Sequence, residues 1–355
     1  MKMKVCAAVA LALVASHAIS ARADVQLGEH ATLSGFGTFG AVKTDTDQAE
    51  FGKDRQPGGA TRNPDALVDS NLGVQLTVKA NSWLSATVQV LAQRRDHEAM
   101  DIEPEWAFIR VQPMDDLTLR VGRMTLPAFL ISDFRNVGYA NTWLRAPNEV
   151  YALSVFRRLD GADLTYRKAI GSSTVTASVL YGDSDLLTAG MRPGVDDVRG
   201  GSLSWEYDGL TVRASRTLAD VLFAGIDDGY IFNAFGATWD RDNLIVQAEY
   251  VQRRATLLGD IVASDGHYLM AGYRLGNVTP YATFARTKPE YRQSPIHVSF
   301  DQETKALGLR WDAFSSAAIK VQVESIDTQG TPGISFNAPV SGTVHAISAS
   351  IDFTF

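Results

Sequence analysis

Strand-like alternation sends a set of guanidinium and ammonium groups to one side of this chain. Between residues 84 and 95 the apolar Leu84, Ala86, Val88 and Val90 share one parity, while Thr87, Gln89, Gln93 and Arg95 fall on the polar face. The same reading turns Arg110, Arg120, Arg167, Arg213, Arg274 and Arg310, with Lys79 and Lys320, to the polar face. Acids of that parity are fewer: Asp163, Glu206, Glu249, Glu324 and Asp352. Fixed on a wall that faces water, such groups break no covalent bond; they hold a field that selects and orients charged and dipolar solutes. The counter-charges are expected on the segment 125–158, where Asp133 and Glu149 stand with Arg135 and Arg145 among Phe, Leu, Ile, Tyr and Trp side chains. A long segment so apolar should fold back against a wall rather than extend into water. Arg95, Arg110, Arg120 and Arg167 are predicted to form a basic strip facing Asp133 and Glu149, with Arg135 and Arg145 in the same constriction.

Other chemistries are poorly supported. Gly35-Phe-Gly-Thr-Phe-Gly40 spells a nucleotide-loop pattern, but that pattern needs a strand before it and a helix after it, and here it is itself a strand. The run Asp45, Asp47, Glu50 and Asp54 lacks the glycine and terminal glutamate of a calcium loop. Cys6 is the one cysteine and lies in an N-terminal segment expected to be removed, so no thiolate nucleophile or thiolate metal site is predicted. No metal or cofactor is expected. The histidines beyond that segment are His30, His97, His267, His297 and His345, with no catalytic spacing; His345 with Ser316 or Ser325 is the pair a lipid hydrolase would need. The formal charge of −7 becomes −10 when Lys2, Lys4 and Arg22 leave, which argues against a nucleic-acid partner.

The elements that must position these residues are strands. Lys2 and Lys4, the apolar run Val5 to Ile19 and Ala21-Arg22-Ala23 read as a signal peptide spanning 1–23 and cleaved after Ala23, leaving 24–355 as a single domain. From residue 24 onward, segments of period two are joined alternately by tight turns and long connections. The turns fall at Asn81-Ser82, Pro113 to Asp116, Gly171-Ser172, Asp208-Gly209, Arg241-Asp242, Gly276-Asn277 and Asp312 to Ser316. The long connections fall near 43–68, 95–103, 125–158, 184–198, 220–228, 255–264, 288–300 and 328–341. This pattern predicts an all-β, closed antiparallel transmembrane β-barrel of about 16 strands. In the last segment Ile347, Ala349, Ile351, Phe353 and Phe355 share the apolar face, and Phe355 should pair with the first strand, around Leu33 to Val42, because an open edge in hydrocarbon would leave backbone groups unpaired.

The opening strand Leu33-Ser-Gly-Phe-Gly-Thr-Phe-Gly40, the second strand Asp69-Ser-Asn-Leu-Gly-Val-Gln-Leu76, the run Arg120-Val-Gly-Arg-Met-Thr-Leu-Pro127 and the terminal Phe355 make the chain similar to a Gram-negative porin of the sixteen-stranded type. Val121 to Asp133 and Val137 to Tyr151 resemble, more locally, a loop of uncharacterised porin-like proteins. The resemblance implies an outer-membrane channel for passive diffusion of small hydrophilic solutes and ions, with the long third loop folded into the lumen. It further implies a homotrimer, contact with lipid and lipopolysaccharide, and Phe355 as the assembly signal read by the barrel-assembly machinery. The family's acidic Pro-Glu-Phe-Gly-like loop motif is absent. The basic strip adds an expected weak anion preference; a pore selective for one small organic or inorganic anion, a surface-interaction protein and a barrel lipid hydrolase are the alternatives. Trimer contacts are expected on the first and last strands, at Ala41, Ala346 and Ala349, with the second loop at Asp96, His97 and Glu98 reaching a neighbour.

Overall fold

The computed structural model describes residues 24–54, 56–95, 97–154, 156–185, 194–223, 226–256, 263–289, 300–328 and 333–355. The segment 1–23, expected to be a signal peptide, lies outside the described residues, as does Asp96.

A short strand β1 (Asp24–Leu27) precedes sixteen longer ones. These are β2 (Ala31–Thr44), β3 (Asn71–Lys79), β4 (Leu84–Arg94), β5 (Met100–Met114), β6 (Leu117–Thr125), β7 (Arg158–Ile170), β8 (Ser173–Asp185) and β9 (Gly194–Tyr207). They continue with β10 (Leu210–Phe223), β11 (Ile226–Arg241), β12 (Leu244–Ala255), β13 (Ser264–Tyr273), β14 (Val278–Pro289), β15 (Gln302–Phe314), β16 (Ala317–Asp327) and β17 (Thr343–Thr354). Each pairs antiparallel with the next, and β17 pairs with β2, so β2–β17 form a closed barrel. Alternation in the sequence becomes alternation across this wall. On β17 Ser348, Ser350 and Asp352 are buried and Ile347 and Ile351 are exposed. Exposed Val88, Ile109, Val179, Leu307 and Val323 continue the apolar outer face around the barrel, a surface suited to hydrocarbon and not to water.

Closure depends on the chain's two ends. Phe355 exchanges backbone hydrogen bonds with Gly35 at 2.8 and 2.9 Å, and Phe353 stands opposite Gly37. A Cβ on Gly35 would lie 2.2 Å from the Phe355 ring, and one on Gly37 2.5 Å from the Phe353 ring. The glycine-rich spelling of β2 therefore makes room for the terminal aromatic rings, a cross-strand device for pinning register. The sequence reading does not anticipate β1. It folds back through Gly28, at φ +79°, and pairs with Ala31 to Ser34, the stretch of β2 that lies beyond the reach of Phe355.

The tight turns fall where expected to within a few residues, but three long connections are shorter than expected: β4 and β5 stay paired out to Arg94 and Met100, inside 95–103. β10 and β11 stay in register out to Phe223 and Ile226, through most of 220–228. β8 and β9 likewise extend to Asp185 and from Gly194, inside 184–198. In the last two the pairing of flanking residues such as Val221 with Asp228, and Ser184 with Val195, continues the ladder.

Segment 126–157, between β6 and β7, carries 3₁₀ turns at Ser132–Phe134 and Gly138–Ala140 and one helical turn, α1 (Asn148–Tyr151). Its Phe129, Trp143, Tyr151, Leu153 and Phe156 form one apolar cluster with the inward side chains Phe232, Val251, Tyr268 and Met270 of β11–β13. A second cluster joins Phe51 and Ala60 of the first long loop to Phe336 and Val340 of the last, above Val42 and Val344.

Candidate functional site

The inner wall of β4–β10 carries the partly exposed charges. Arg110 and Arg120 are cross-strand partners on β5 and β6, and Arg120 faces Asp163 on β7. Arg120 Nε donates to both Asp163 oxygens, at 2.9 and 3.1 Å, and its guanidinium lies 5.4 Å from the Phe108 ring centre. Arg110 is exposed and, among the described residues, donates only to the neutral Gln112, at 2.9 Å. Nearer the β7–β8 turn, Arg167 bonds Glu206 at 3.2 Å. Arg167, Thr176, Ser204 and Arg213 make one line of partners across β7–β10. Arg213 gives Nη2 to the Pro127 carbonyl at 2.8 Å, while its buried Nε has no partner among the described residues. Beyond this line, at the short-turn end, a cavity of about 450 Å³ opens along Thr174, Glu206, Thr211 and Thr238.

Segment 126–157 is fastened at both ends of a crossing stretch. On the first side Leu130 N–H donates to Glu249 at 2.8 Å, and Ser215 to the Ala128 carbonyl at 2.6 Å. On the second, the buried Lys320 ammonium donates to the carbonyls of Gly138, Asn141 and Trp143 at 2.7, 2.7 and 2.9 Å and pairs with Asp352 at 3.0 Å. Arg310 adds bonds to the Tyr139 and Asn141 carbonyls, both at 2.8 Å. Between the anchors, Asp133 and Phe134 are exposed. Asp133 makes no hydrogen bond or ion pair among the described residues, yet it lies close enough to act electrostatically on Arg120 and Arg213.

Of the residues expected in the constriction, Arg110, Arg120, Arg167 and Asp133 keep partly or fully exposed positions, and four others stand elsewhere. Arg95 is not part of the wall strip: it follows β4 at the long-loop end, buried against Glu103 at 2.9 Å and Glu105 at 3.1 Å. Glu149 does not face the arginines. Buried on α1, it accepts hydrogen bonds from Gln302, at 2.7 Å, and Thr304 of β15. Burial pushes its carboxyl up from the ordinary glutamate range, against the pull of those two donors. Arg145 is a buried anchor bonded to Asp69 and Glu324, each at 2.5 Å; despite the cost of burial, these carboxylates raise its pKa. Arg135 bonds Asp54 of the first long loop, which also pairs with Arg157 at 2.9 Å. Burial brings Arg157 down to about 9, opposed by Asp54. The physical reason is common to all four: parity and composition locate a charge near the interior, but only packing decides whether it meets water or a buried partner. Sequence parity turned Arg213, Arg310 and Lys320 inward, but did not distinguish a side chain that faces the lumen from one that grips a loop carbonyl.

Two further expectations can be placed. Ala41 and Ala349 are outward cross-strand partners, whereas Ala346 is buried on the inner face. Ser325 and His345 are cross-strand partners on the outer face, and His345 Nδ1 lies 2.8 Å from Asp45. No hydrogen bond links Ser325 to His345 among the described residues. No cluster of three metal-ligating side chains occurs among them either.

Residues 7–354 match the sequence pattern of the Gram-negative porin family. No curated protein sequence matches the chain. Among solved structures, OmpF of Salmonella typhi in complex with daunomycin is similar at TM-score 0.64 and 15% identity, over 94% of this chain and 100% of that one. An anion-selective porin from Comamonas acidovorans follows at 0.62 and 13%, over 92% and 99%. The trimer form of OmpT, an outer membrane protein of Vibrio cholerae, is similar at 0.58 and 13%, over 92% and 100%. At these identities the structures support the fold alone. The family match over nearly the whole length, on a closed sixteen-stranded barrel with an apolar outer face and a charged inner one, shows that the chain belongs to the Gram-negative porins of the outer membrane.

Proposed function

We propose that this outer-membrane channel passes small hydrophilic solutes and ions by passive diffusion, with a weak preference for anions. The observation that carries the selectivity is the balance of charge on the β4–β10 wall. Arg120 is matched by Asp163 and Arg167 by Glu206, which leaves Arg110 and Arg213 against Asp133. A small positive excess in a confined aqueous gap raises the local concentration of anions. Segment 126–157, gripped by inner-face residues of β10, β12, β15 and β16, narrows the lumen. The preference should fade as salt rises, because the screening length falls from ~10 Å at 0.1 M to ~3 Å at 1 M. Reversal potentials across planar bilayers in a KCl gradient test it. Arg110→Glu with Arg120→Glu should abolish or reverse the sign, since the second change also uncovers Asp163. A wild-type pore that prefers potassium at low salt would defeat the reading. Selectivity for one particular small anion is the narrower alternative; flux that saturates for a single anion, and not for others of its size, would favour it.

We further propose a homotrimer. The outward faces of β7–β15 carry Tyr166, Tyr181, Trp205, Trp239, Tyr273 and Trp311, the residues that mark a lipid–water boundary. The outward faces of β16, β17 and β2–β4 carry aliphatic residues such as Val321, Ile351, Leu72, Val74 and Val88, with Phe39 beside the closure. A sector without such a girdle suits contact with other copies. The Ser325, His345 and Asp45 arrangement supports a second reading as a lipid hydrolase. The missing serine–histidine bond weighs against it, and release of fatty acid by purified protein, lost in Ser325→Ala, would be needed to sustain it.

A further inference from the structure

We propose that the chamber enclosed by the first long loop, segment 126–157 and the β2–β3 wall binds one small protic oxyanion, of the bicarbonate class. The chamber has a volume of about 40 Å³, and Lys53, Asp54, Asp69, Asn71, Arg135 and Arg145 all line it. That is room for roughly three waters, or for one planar ion of similar bulk. Two of the six side chains carry unused hydrogen-bonding capacity. The Lys53 ammonium makes no ion pair or hydrogen bond among the described residues. Asn71 is 6% exposed; its Nδ2 donates to the Asn136 carbonyl at 3.2 Å, which fixes the amide and leaves Oδ1 without a partner among the described residues.

The other four groups are already matched. Asp54 is shared by Arg135 and Arg157, and Arg145 is bonded to both Asp69 and Glu324, each at 2.5 Å. Lys53 and these three arginines therefore face three carboxylates, and the unmatched charge is the ammonium. Burial holds it below the ordinary lysine range, with Asp69 and Asp54 opposing without pairing. An anion beside it offsets that cost, while the buried amide oxygen needs an O–H or N–H donor. The two demands together select the ligand. Chloride and nitrate supply the charge but no donor, and an ammonium ion supplies the donor but is repelled by Lys53. Bicarbonate supplies both: its unprotonated oxygens accept from Lys53, and its O–H donates to Asn71 Oδ1. Hydrogen phosphate has the same chemistry in a larger, tetrahedral body.

Thermal melting of the purified protein in detergent, near neutral pH and at fixed sodium concentration, reads occupancy, because a ligand of the folded state raises the melting temperature. Bicarbonate should act at a midpoint concentration roughly tenfold below that of nitrate, an ion of the same size and shape without the donor. Lys53→Met should abolish the difference between the two anions. Magnetic resonance of isotopically labelled bicarbonate checks the site without a variant: wild-type protein should broaden its signal, and unlabelled bicarbonate, but not an equal concentration of nitrate, should restore it. Equal midpoints for bicarbonate and nitrate, a tighter response to phosphate, or a Lys53→Met protein that keeps the difference would overturn the site. So would the absence of any saturable response to bicarbonate, the result expected of a chamber that holds water only.

Discussion

Arg110 and Arg120 are neighbours of the same type, on the same face, with different duties. Arg120 is bound to Asp163 through two nitrogens and stacked on Phe108, whereas Arg110 has only Gln112. Single substitutions should therefore differ: Arg110→Gln should shift the reversal potential with little effect on stability, and Arg120→Gln should shift it further toward cations and destabilise the barrel by leaving Asp163 unpaired. Equal shifts from the two would mean that Asp163 does not count in the field. Glu149 offers a pH test. Its folded pKa is raised by burial above the ordinary 4.5, so the contribution of the protonated acid is fully present below 4.5 and is lost as pH rises through the folded value. Glu149→Gln, which stays neutral, should lack this pH dependence and be more resistant to heat than wild type at neutral pH. Melting curves in detergent at several pH values that are parallel for both proteins would exclude it.

At the scale of elements, the crossing stretch is held by cations of β15 and β16 that grip carbonyl oxygens. Lys320 is the centre of this clamp: an ammonium with no exposure, three loop carbonyls and one carboxylate. Removing it leaves Asp352 buried with Thr38 as its remaining strong donor, and breaking one side of such a pair typically costs about 3–5 kcal/mol. Lys320→Met should give noisier single-channel currents with a larger mean conductance, as the stretch that carries Asp133 loses its anchor. Lys320→Met with Asp352→Asn should recover much of the stability but not the steady current. Unchanged conductance in the single variant would show that Arg310 and the β10–β12 anchors suffice. The first and last long loops belong to the same assembly, since Asn148 of α1 donates to Gly52 at 3.0 Å and to Ser335 at 2.9 Å.

For the whole molecule, closure and assembly are the properties at stake. Deleting Phe355 removes two backbone hydrogen bonds to Gly35 and the ring that covers it, at the one seam joining the chain's ends. Surface levels should fall more than after deletion of any exposed loop residue; normal levels of the truncated protein would refute this. Placing a lysine at Val74 or Val88, on the sector whose strands carry no Tyr or Trp, should convert trimers to monomers in mild detergent, whereas the same change at Val179 should not. Cross-linking that finds only monomers of wild type in native membranes would refute the trimer.

The barrel was legible in the sequence because a strand's period of two repeats identically wherever one face meets hydrocarbon and the other water. Ile347 to Phe353 or Leu84 to Val90 declare their outer face without reference to any other part of the chain. The alternation of short turns and long connections added the strand number, and the wet parity of Arg110, Arg120 and Arg167 their orientation. Tertiary structure alone decided which inward charges are exposed. Lys320 carries the same parity signal as Arg110, and Arg145 a compositional one, yet Lys320 is buried beneath, and Arg145 within, a loop whose path is set by Phe129, Trp143 and Tyr151 docking on strands about a hundred residues later in the chain. Local periodicity has no term for such contacts, because whether a cation lines water or holds a carbonyl depends on what another segment places in front of it.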